Sequence, residues 1–256
     1  MENINTTKSS AFITLISVFF FWGFVAASND ILIPVFKENL NLEQWQSQMI
    51  SFAFYVAYTV GSLVYFFISR STKEDILNKI GYKNGISLGL LISAFGTLLF
   101  YPAAQLISFP LMITGLFIVG LGFSLQQIAA NPLTINIGDP RKGSQRLSLA
   151  GGINNLGTTI GPLLVSFAIF GSISVSTTNT ASIENIKIPY LILGMAFIIV
   201  ALIFKFSSIP NKIRQEPAKI DDNSLKTDKK IFHYPQLWLG MIGIFVYVGV
   251  EVSTAS

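Results

Sequence analysis

The stretch WGFVAASNDILIPVF, residues 22–36, is apolar over most of its length and yet contains a carboxylate, Asp30. Apolar residues continue on both sides of it, and a run of ~20 such residues is long enough to cross a bilayer. A charged side chain near the bilayer centre costs at least ~2.5 to 3.5 kcal/mol, so an acid kept there points to a function. The alternative is that Asp30 lies near the outer interface and helps to end a helix before Pro34.

Five more apolar stretches follow this one, and a seventh begins near the end of the chain. Of the 256 residues, 51% are hydrophobic and 12% are charged, whereas about 25% are charged in an ordinary soluble domain. The sequence therefore predicts an all-α membrane protein. The predicted spans are 11–36, 45–69, 85–104, 109–137, 147–172 and 188–206, followed by one that starts at 236.

The basic residues mark one side of the membrane. If the N-terminus is cytoplasmic, 15 of the 17 Lys and Arg residues fall in cytoplasmic segments, and only Lys37 and Lys187 lie outside. This asymmetry follows the positive-inside rule, and it predicts a multi-pass protein of the cell inner membrane, surrounded by lipid. A nucleic-acid-binding protein would instead gather its basic residues on a soluble face, so that class is excluded.

One long polar segment divides the chain. Residues 208–231 carry mixed charges and few apolar side chains, which predicts a cytoplasmic central loop. It separates a six-helix transmembrane bundle, residues 1–207, from the start of a seventh helix, residues 232–256. Six spans, a linker and a new span are typical of transporters built from repeated halves. We therefore expect this chain to be the N-terminal part of a longer protein and to need a missing C-terminal half.

Polar residues recur in the first, fourth and seventh spans. In the fourth, Gln127 and Asn131 are four residues apart, which places both on one helical face, and Pro132 follows them as Pro34 follows Asp30. Interruptions at corresponding positions of repeated units point to the binding site of a transporter. Glu251 extends the pattern to the seventh span. The neighbouring amide of Gln126 is a further candidate, and both glutamines have the alternative of joining helices through hydrogen bonds.

The fifth span contains GGINNLGTTIGP, residues 151–162. Gly157 and Gly161 form a small-xxx-small pair, which predicts close helix packing. Asn154 and Asn155 are amides within an apolar span, and a buried amide needs a partner or a ligand. We expect one of them to face a cavity.

Enzymatic and metal-dependent functions find little support. The segment GISLG, residues 85–89, matches the G-x-S-x-G pattern, but that motif needs a strand-turn-helix context with His and acid partners. Here Ser87 lies in a span and the chain has a single histidine. There is no cysteine and no metal-ligand spacing. The sequence predicts no enzyme, no cofactor and no metal site.

Five motifs together resemble one transporter family. WGFVAASNDILIP (22–34), GYKNG (81–85), AANP (129–132), RLSLAGGINNLGTTIGP (146–162) and YVGVEVS (247–253) are similar to the fucose, galactose and glucose proton symporters of the major facilitator superfamily. The resemblance implies a fold of two six-helix halves with alternating access to a central sugar site. It implies that Asp30 serves proton coupling or sugar binding, and that Asn154 belongs to the sugar site.

Two positions depart from the fucose permeases that this chain resembles. Those permeases have a glutamate where this chain has Gln127, and a glutamine where it has Gly151. A glutamine can bond to a sugar hydroxyl but cannot carry a proton, so glucose or galactose is favoured over fucose. The segment STKEDILNK, residues 71–79, also adds polar residues to a loop that is short in the superfamily.

The resulting hypothesis is a secondary active transporter that imports a monosaccharide with protons. Gln127, Asn131 and Asn154 would hold the sugar, with Gln126 and Glu251 as further candidates. Trp22 would stack on the sugar, or would instead face lipid or the interface. The alternative hypothesis is an inactive half-transporter fragment or a membrane scaffold.

Overall fold

The computed structural model describes residues 4–72, 74–171, 184–212 and 234–255, and every regular element in these ranges is a helix. Long apolar segments take this form because a helix satisfies its own backbone polar groups away from water. Two 3-10 turns, Asn29–Ile31 and Pro140–Lys142, join neighbouring α-helices. In chain order the α-helices are α1 (Ile4–Ser28), α2 (Leu32–Asn39), α3 (Gln44–Thr72), α4 (Ile76–Ile80), α5 (Tyr82–Leu98), α6 (Phe100–Gln105), α7 (Phe109–Asn136), α8 (Gly143–Phe170), α9 (Glu184–Phe206) and α10 (Pro235–Ala255).

Among the residues that the structure describes, six helical stretches are long and apolar enough to cross a membrane. They overlap the six spans predicted from the sequence, and no end moves by more than four residues. Large apolar side chains such as Phe167, Ile192 and Ile203 are more than half exposed on the bundle, a surface that suits lipid better than water. The stretches are 11–39, 44–72, 82–105, 109–136, 143–170 and 184–206.

The first span changes helix type at the acid. Pro34 has no N–H, and its ring collides with the carbonyl four residues earlier, which belongs to Asp30. The chain forms a 3-10 turn over Asn29–Ile31 before α2 begins. The interruption expected at Pro132 is absent and that prediction is wrong, because α7 continues through Pro132 to Asn136. A proline inside a membrane helix is tolerated where neighbouring groups satisfy the freed carbonyl.

Helices α1 and α8 lie against each other with glycines at the contact. A Cβ added at Gly157 would lie 2.8 Å from the Phe24 backbone nitrogen, and one at Gly161 would lie 3.0 Å from the Phe24 carbonyl carbon. Gly23 of α1 meets the Asn154 backbone in the same way. These contacts confirm the packing role predicted for Gly157 and Gly161. Because the contacts advance in the same direction along both helices, α1 and α8 run parallel.

Aromatic rings fill the centre of the bundle. Phe123 of α7 is fully buried, and its ring lies 5.7 to 6.1 Å, centroid to centroid, from three other rings. Edge-on and tilted contacts of this kind are the favourable ones for aromatic pairs. They join α1, α3, α7 and α9 into one core through Trp22, Phe54 and Phe197.

An arginine closes the turn between α7 and α8. The Arg146 guanidinium donates to the carbonyls of Thr134 and Asp139, each at 3.0 Å, and also to that of Ile135. The last carbonyls of a helix have no partner within the helix and carry partial negative charge, so a cation there is stabilising. Arg146 therefore fixes the first turn of α8 to the end of α7.

The polar insert at residues 71–79 contains a capped helix. The Asp75 carboxylate accepts a hydrogen bond from the Leu77 N–H at 2.9 Å, which caps α4. It also accepts bonds from the hydroxyls of Tyr65, on α3, and Tyr82, at the start of α5. Asp75 thereby ties three helices together at this end of the bundle.

The start of α5 is bound by the segment that follows α9. Gly81 has a φ of +89°, which glycine adopts without steric penalty. The Tyr82 N–H donates to the Asn211 carbonyl at 2.8 Å, and the Asn84 N–H donates to the Asn211 Oδ1 at 3.2 Å. Lys83 Nζ donates to the Ser207 carbonyl at 3.0 Å. Residues 207–211 thus belong structurally to the bundle.

The chain divides into two compact units between residues 214 and 215. The first unit contains α1 to α9. In the second, the described residues form the apolar helix α10, in the segment where the seventh span is expected to begin. Most of the expected central loop, residues 208–231, lies outside the described residues.

Candidate functional site

Asp30 lies in the 3-10 turn between α1 and α2, and it is exposed on the bundle. In the described part of the chain no Lys or Arg forms an ion pair with its carboxylate and no group donates a hydrogen bond to it. Tyr190 of α9 approaches this turn and donates from its hydroxyl to the Ser28 carbonyl at 3.3 Å. The turn is thus held by its backbone, and the acid itself stays accessible.

Asn154 lies where α8 crosses α1. Its Nδ2 donates to the Phe19 carbonyl at 3.0 Å, and its backbone carbonyl lies against Gly23. One donor of the amide is therefore used in packing, while the side chain stays partly exposed. Asn155 is exposed, and its backbone carbonyl accepts bonds from the hydroxyls of Thr158 and Thr159.

Gln127 and Asn131 share one face of α7, as their spacing predicts. Both side chains are half-buried, and neither has a hydrogen-bond partner among the described residues. An amide that is partly out of water and unpaired loses the hydrogen bonds that water would supply. These two amides are therefore available to a ligand.

Gln126 has different surroundings from Gln127, although the two are adjacent in sequence. Its side chain is 1% exposed, and its Nε2 donates to the Ser93 Oγ of α5 at 3.0 Å. The Gln126 Oε1 is buried and has no partner among the described residues. This position agrees with the interhelical alternative that the sequence leaves open for Gln126.

The candidate residues lie at different depths. Asp30 follows Trp22 by eight residues on the first span, which corresponds to about 12 Å along a helix axis. Gln127 follows Phe123 by four residues on α7, which corresponds to about 6 Å. The rings of Trp22 and Phe123 are in contact, so these two residues lie at about the same depth. Helix α7 is joined to α8 by a short turn and runs antiparallel to it. Because α1 is parallel to α8, α7 also runs antiparallel to α1, and the two offsets add. Asp30 and Gln127 are therefore about 18 Å apart along the bundle axis, whereas Asn154 lies near the depth of Trp22.

Trp22 is neither at the lipid surface nor at an interface. It is 6% exposed, and its ring contacts Phe19 and Phe123. Its indole Nε1–H donates to the Tyr58 hydroxyl of α3 at 2.8 Å. Sequence alone does not single out Tyr58, because a tyrosine in an apolar run has the same signature as a residue of the membrane interface.

Three features considered from the sequence remain: the G-x-S-x-G segment, metal-ligating side chains and Glu251. Ser87 lies inside α5 rather than on a strand-turn-helix, and is buried with no partner for its hydroxyl among the described residues. No group of three or more metal-ligating side chains occurs in the residues searched. Glu251 belongs to α10, and its side chain lies outside the described residues.

Comparisons with known proteins identify the family. The profile described as Major Facilitator Superfamily matches residues 10–255. A glucose/galactose transporter of Brucella abortus is 38% identical over 246 residues, covering 96% of this chain and 57% of that protein. A putative glucose/galactose transporter of Helicobacter pylori is 32% identical over 256 residues, covering 98% and 59%. The L-fucose-proton symporter of Escherichia coli is 30% identical over 257 residues, covering 94% and 57%.

A crystal structure of the E. coli fucose:proton symporter has the same fold, with a TM-score of 0.65 and 25% identity over 82% of this chain and 53% of that chain. The chain spans 57 to 59% of the length of these curated relatives. The matches confirm the resemblance seen in the motifs, the predicted fold class and the prediction that this is not an enzyme. The chain belongs to the major facilitator superfamily, and within it is similar to glucose/galactose transporters and L-fucose-proton symporters.

Proposed function

We propose that the protein containing this chain imports a monosaccharide together with protons by alternating access, with glucose or galactose favoured over fucose. Its relatives include glucose/galactose transporters and L-fucose-proton symporters, which supports a sugar as cargo and a proton as the coupling ion. In this chain the proposal rests on Gln127 and Asn131, two half-buried amides without a partner among the described residues.

Amides suit a sugar because each offers both donors and an acceptor to hydroxyl groups that are themselves donors and acceptors. Gln127 and Asn131 share a face of α7, and Asn154 of α8 lies near the same depth as the Trp22 ring. We assign the sugar to Asn154 and Gln127, which are about 6 Å apart along the axis, with Asn131 one further turn along α7. Glu251 remains a proposed contribution from the seventh span, and Gln126 is assigned to helix packing.

Asp30 is proposed as the proton-coupling residue. Its carboxylate has no ion-pair partner among the described residues, so protonation would not break an existing salt bridge. It lies about 18 Å along the axis from Gln127, which is too far for one monosaccharide to contact both side chains directly. Coupling would therefore act through the change in access rather than through a direct contact between the acid and the sugar.

The organisation of the whole transporter is part of the same proposal. We assign residues 1–207 to the N-terminal bundle, 208–231 to a cytoplasmic loop whose first residues are bound to the bundle through Asn211, and 232–256 to the start of the second half. The N-terminus is cytoplasmic and the protein resides in the cell inner membrane, as the distribution of 15 of 17 basic residues favours. The cavity closes only when a C-terminal half is present.

Coupling is tested with Asp30→Asn in membrane vesicles that carry the full gene product. An imposed difference of one pH unit is worth about 1.4 kcal/mol per proton, which supports about tenfold sugar accumulation for each proton carried. We expect Asp30→Asn to lower that ratio to about 1 while sugar exchange without a gradient persists. Uptake that ignores both the gradient and the substitution would refute the coupling.

Sugar binding is tested with two adjacent residues. Gln127→Met should weaken the apparent affinity for the transported sugar by about tenfold, since it removes hydrogen bonds worth about 1 to 1.5 kcal/mol. Gln126→Met is the matched control and should leave the affinity unchanged. Equal effects of the two substitutions would remove Gln127 from the site, and no uptake of any monosaccharide by the unaltered protein would favour an inactive half-transporter or scaffold.

A further inference from the structure

The Tyr58 hydroxyl is held in one direction by a buried neighbour. Trp22 Nε1–H donates to it at 2.8 Å. Trp22 cannot easily turn away, because it is 6% exposed and its ring lies against Phe19 and Phe123. The tyrosine ring is itself edge-on to Phe54, with centroids 5.3 Å apart. A phenol fixed on both sides in this way is preorganised.

The hydrogen bond from Trp22 leaves the hydroxyl proton unused. A tyrosine hydroxyl is both donor and acceptor, whereas an indole nitrogen is a donor only. Trp22 therefore occupies an acceptor position on the oxygen and cannot take the proton. No described residue accepts it, and the nearby Ser124 hydroxyl bonds to the Tyr58 backbone carbonyl at 3.3 Å instead. The Tyr58 side chain is half-buried, and a donor partly out of water and without an acceptor loses the hydrogen bonds that water would supply, so this proton is available to a ligand.

Tyr58 lies near the depth of Asn154 and about one helical turn from Gln127, two of the proposed sugar amides. Trp22 is next to Gly23, which meets Asn154 of α8. Phe123, which touches Trp22, lies one helical turn from Gln127 on α7. The Trp22–Tyr58 bond crosses from α1 to α3, and these two helices pack chiefly against α8 and α7 rather than against each other. The side chains therefore bridge a gap between helices.

We propose that the Tyr58 hydroxyl donates a hydrogen bond to an oxygen of the transported sugar, with Trp22 as the positioning residue that aims it. This inference rests on the proposed function and deepens it, since it adds helix α3 to the sugar site. A site that hydrogen-bonds a substrate hydroxyl strongly rejects analogues that lack it, because its own polar group is then left unpaired. Tyr58 is thus a specificity-determining residue.

The test is sugar uptake by the full gene product with Tyr58→Phe, which removes the hydroxyl and keeps the ring. Tyr55→Phe, one turn away on the same helix and 48% exposed, is the matched control. We expect Tyr58→Phe to raise the KM for the parent sugar about five- to tenfold. We expect no such rise for the one deoxy analogue of glucose or galactose that lacks the bonded hydroxyl, and no change with Tyr55→Phe.

If Tyr58→Phe does not fold, a second measurement on protein that keeps Tyr58 tests the same contact. This chain has three tryptophans, so the full gene product is prepared with Trp45, Trp238 and every tryptophan outside this chain replaced by phenylalanine, which leaves Trp22 as the sole emitter. Saturable sugar should then shift the Trp22 emission, and the same deoxy analogue should not shift it.

The outcomes separate the two proposals. If the unaltered protein transports sugar and Tyr58→Phe has the same KM for every sugar, the Tyr58 inference is wrong while the proposed function stands. A KM rise of equal size for the parent sugar and all deoxy analogues would also overturn it, because the hydroxyl would then serve helix packing. If no sugar is transported and none shifts the Trp22 emission, both proposals fail.

Discussion

Gly157→Ala should push α1 and α8 apart and destabilise the bundle. The two helices touch backbone to backbone at this point, and the added Cβ would lie 2.8 Å from the Phe24 nitrogen, 3.1 Å from the Phe20 carbonyl carbon, and closer still to the Phe20 carbonyl oxygen. Non-bonded heavy atoms prefer separations of about 3.5 to 4.0 Å. The clash involves backbone atoms, so no side-chain rotation relieves it, and one helix must move by about 1 Å.

The expected size of the effect follows from two opposing terms. Overpacking a close contact costs about 1 to 3 kcal/mol, and alanine is about 0.5 to 1 kcal/mol better than glycine in a helix. The net loss is about 1 to 2 kcal/mol, which lowers the Tm by about 2 to 8 °C at 2 to 4 °C per kcal/mol.

The same helix provides the control. A Cβ added at Gly151 would meet nothing within 4 Å, so Gly151→Ala should gain only the helix term of about 0.5 to 1 kcal/mol. Its Tm should rise by about 1 to 4 °C. The assay is heating of the detergent-solubilised protein, followed by size-exclusion chromatography of the fraction that remains monodisperse.

The opposite signs make the reasoning refutable. If Gly157→Ala is as heat-stable as Gly151→Ala, the close approach of α1 and α8 does not exist in the folded protein. A loss of the same size in both variants would mean that alanine is disfavoured along α8 for a reason other than the contact with α1.

Two further predictions concern the loops. Asp75→Ala should lower the free energy of unfolding by about 1 to 3 kcal/mol, because it removes the cap of α4 and the acceptor of Tyr65 and Tyr82. Asp75→Asn keeps a capping oxygen and should lose less stability. Equal Tm values for both variants would contradict this. Arg146→Lys should lower the free energy of unfolding by about 1 to 2 kcal/mol, and the Tm by a few degrees, because a lysine cannot bond to three carbonyls in the fork geometry of arginine. A lysine variant as heat-stable as the unaltered protein would show that charge alone closes the turn.

The spans were predictable because their signal is the length of an apolar run, which lipid thickness sets directly. Two prolines, Pro34 and Pro132, were predicted to interrupt a helix, and the prediction is correct only for Pro34. Pro34 and Pro132 have the same local meaning, but the chain leaves α-helical geometry only before Pro34. Whether a freed carbonyl finds another partner depends on neighbouring helices, which the local sequence does not specify.

The site illustrates the same limit at the level of single residues. The i, i+4 spacing correctly grouped Gln127 with Asn131, but it could not say which of two adjacent glutamines packs between helices. That depended on Ser93, which is 33 residues away in sequence and 3.0 Å away in space. Tyr58 was missed for a similar reason, since its meaning comes from Trp22 on another helix.

The bonds that Asn211 makes to the start of α5 have a practical consequence for engineering. Helix α9 ends at Phe206, and a fusion tag or cleavage site placed directly after it would sever Ser207 and Asn211 from Lys83, Tyr82 and Asn84. The first turn of α5 would then lose the groups that satisfy its open N–H donors. A junction placed after Lys212 keeps those bonds. It is therefore the first point after α9 at which a reporter can be inserted while the six-helix bundle stays intact.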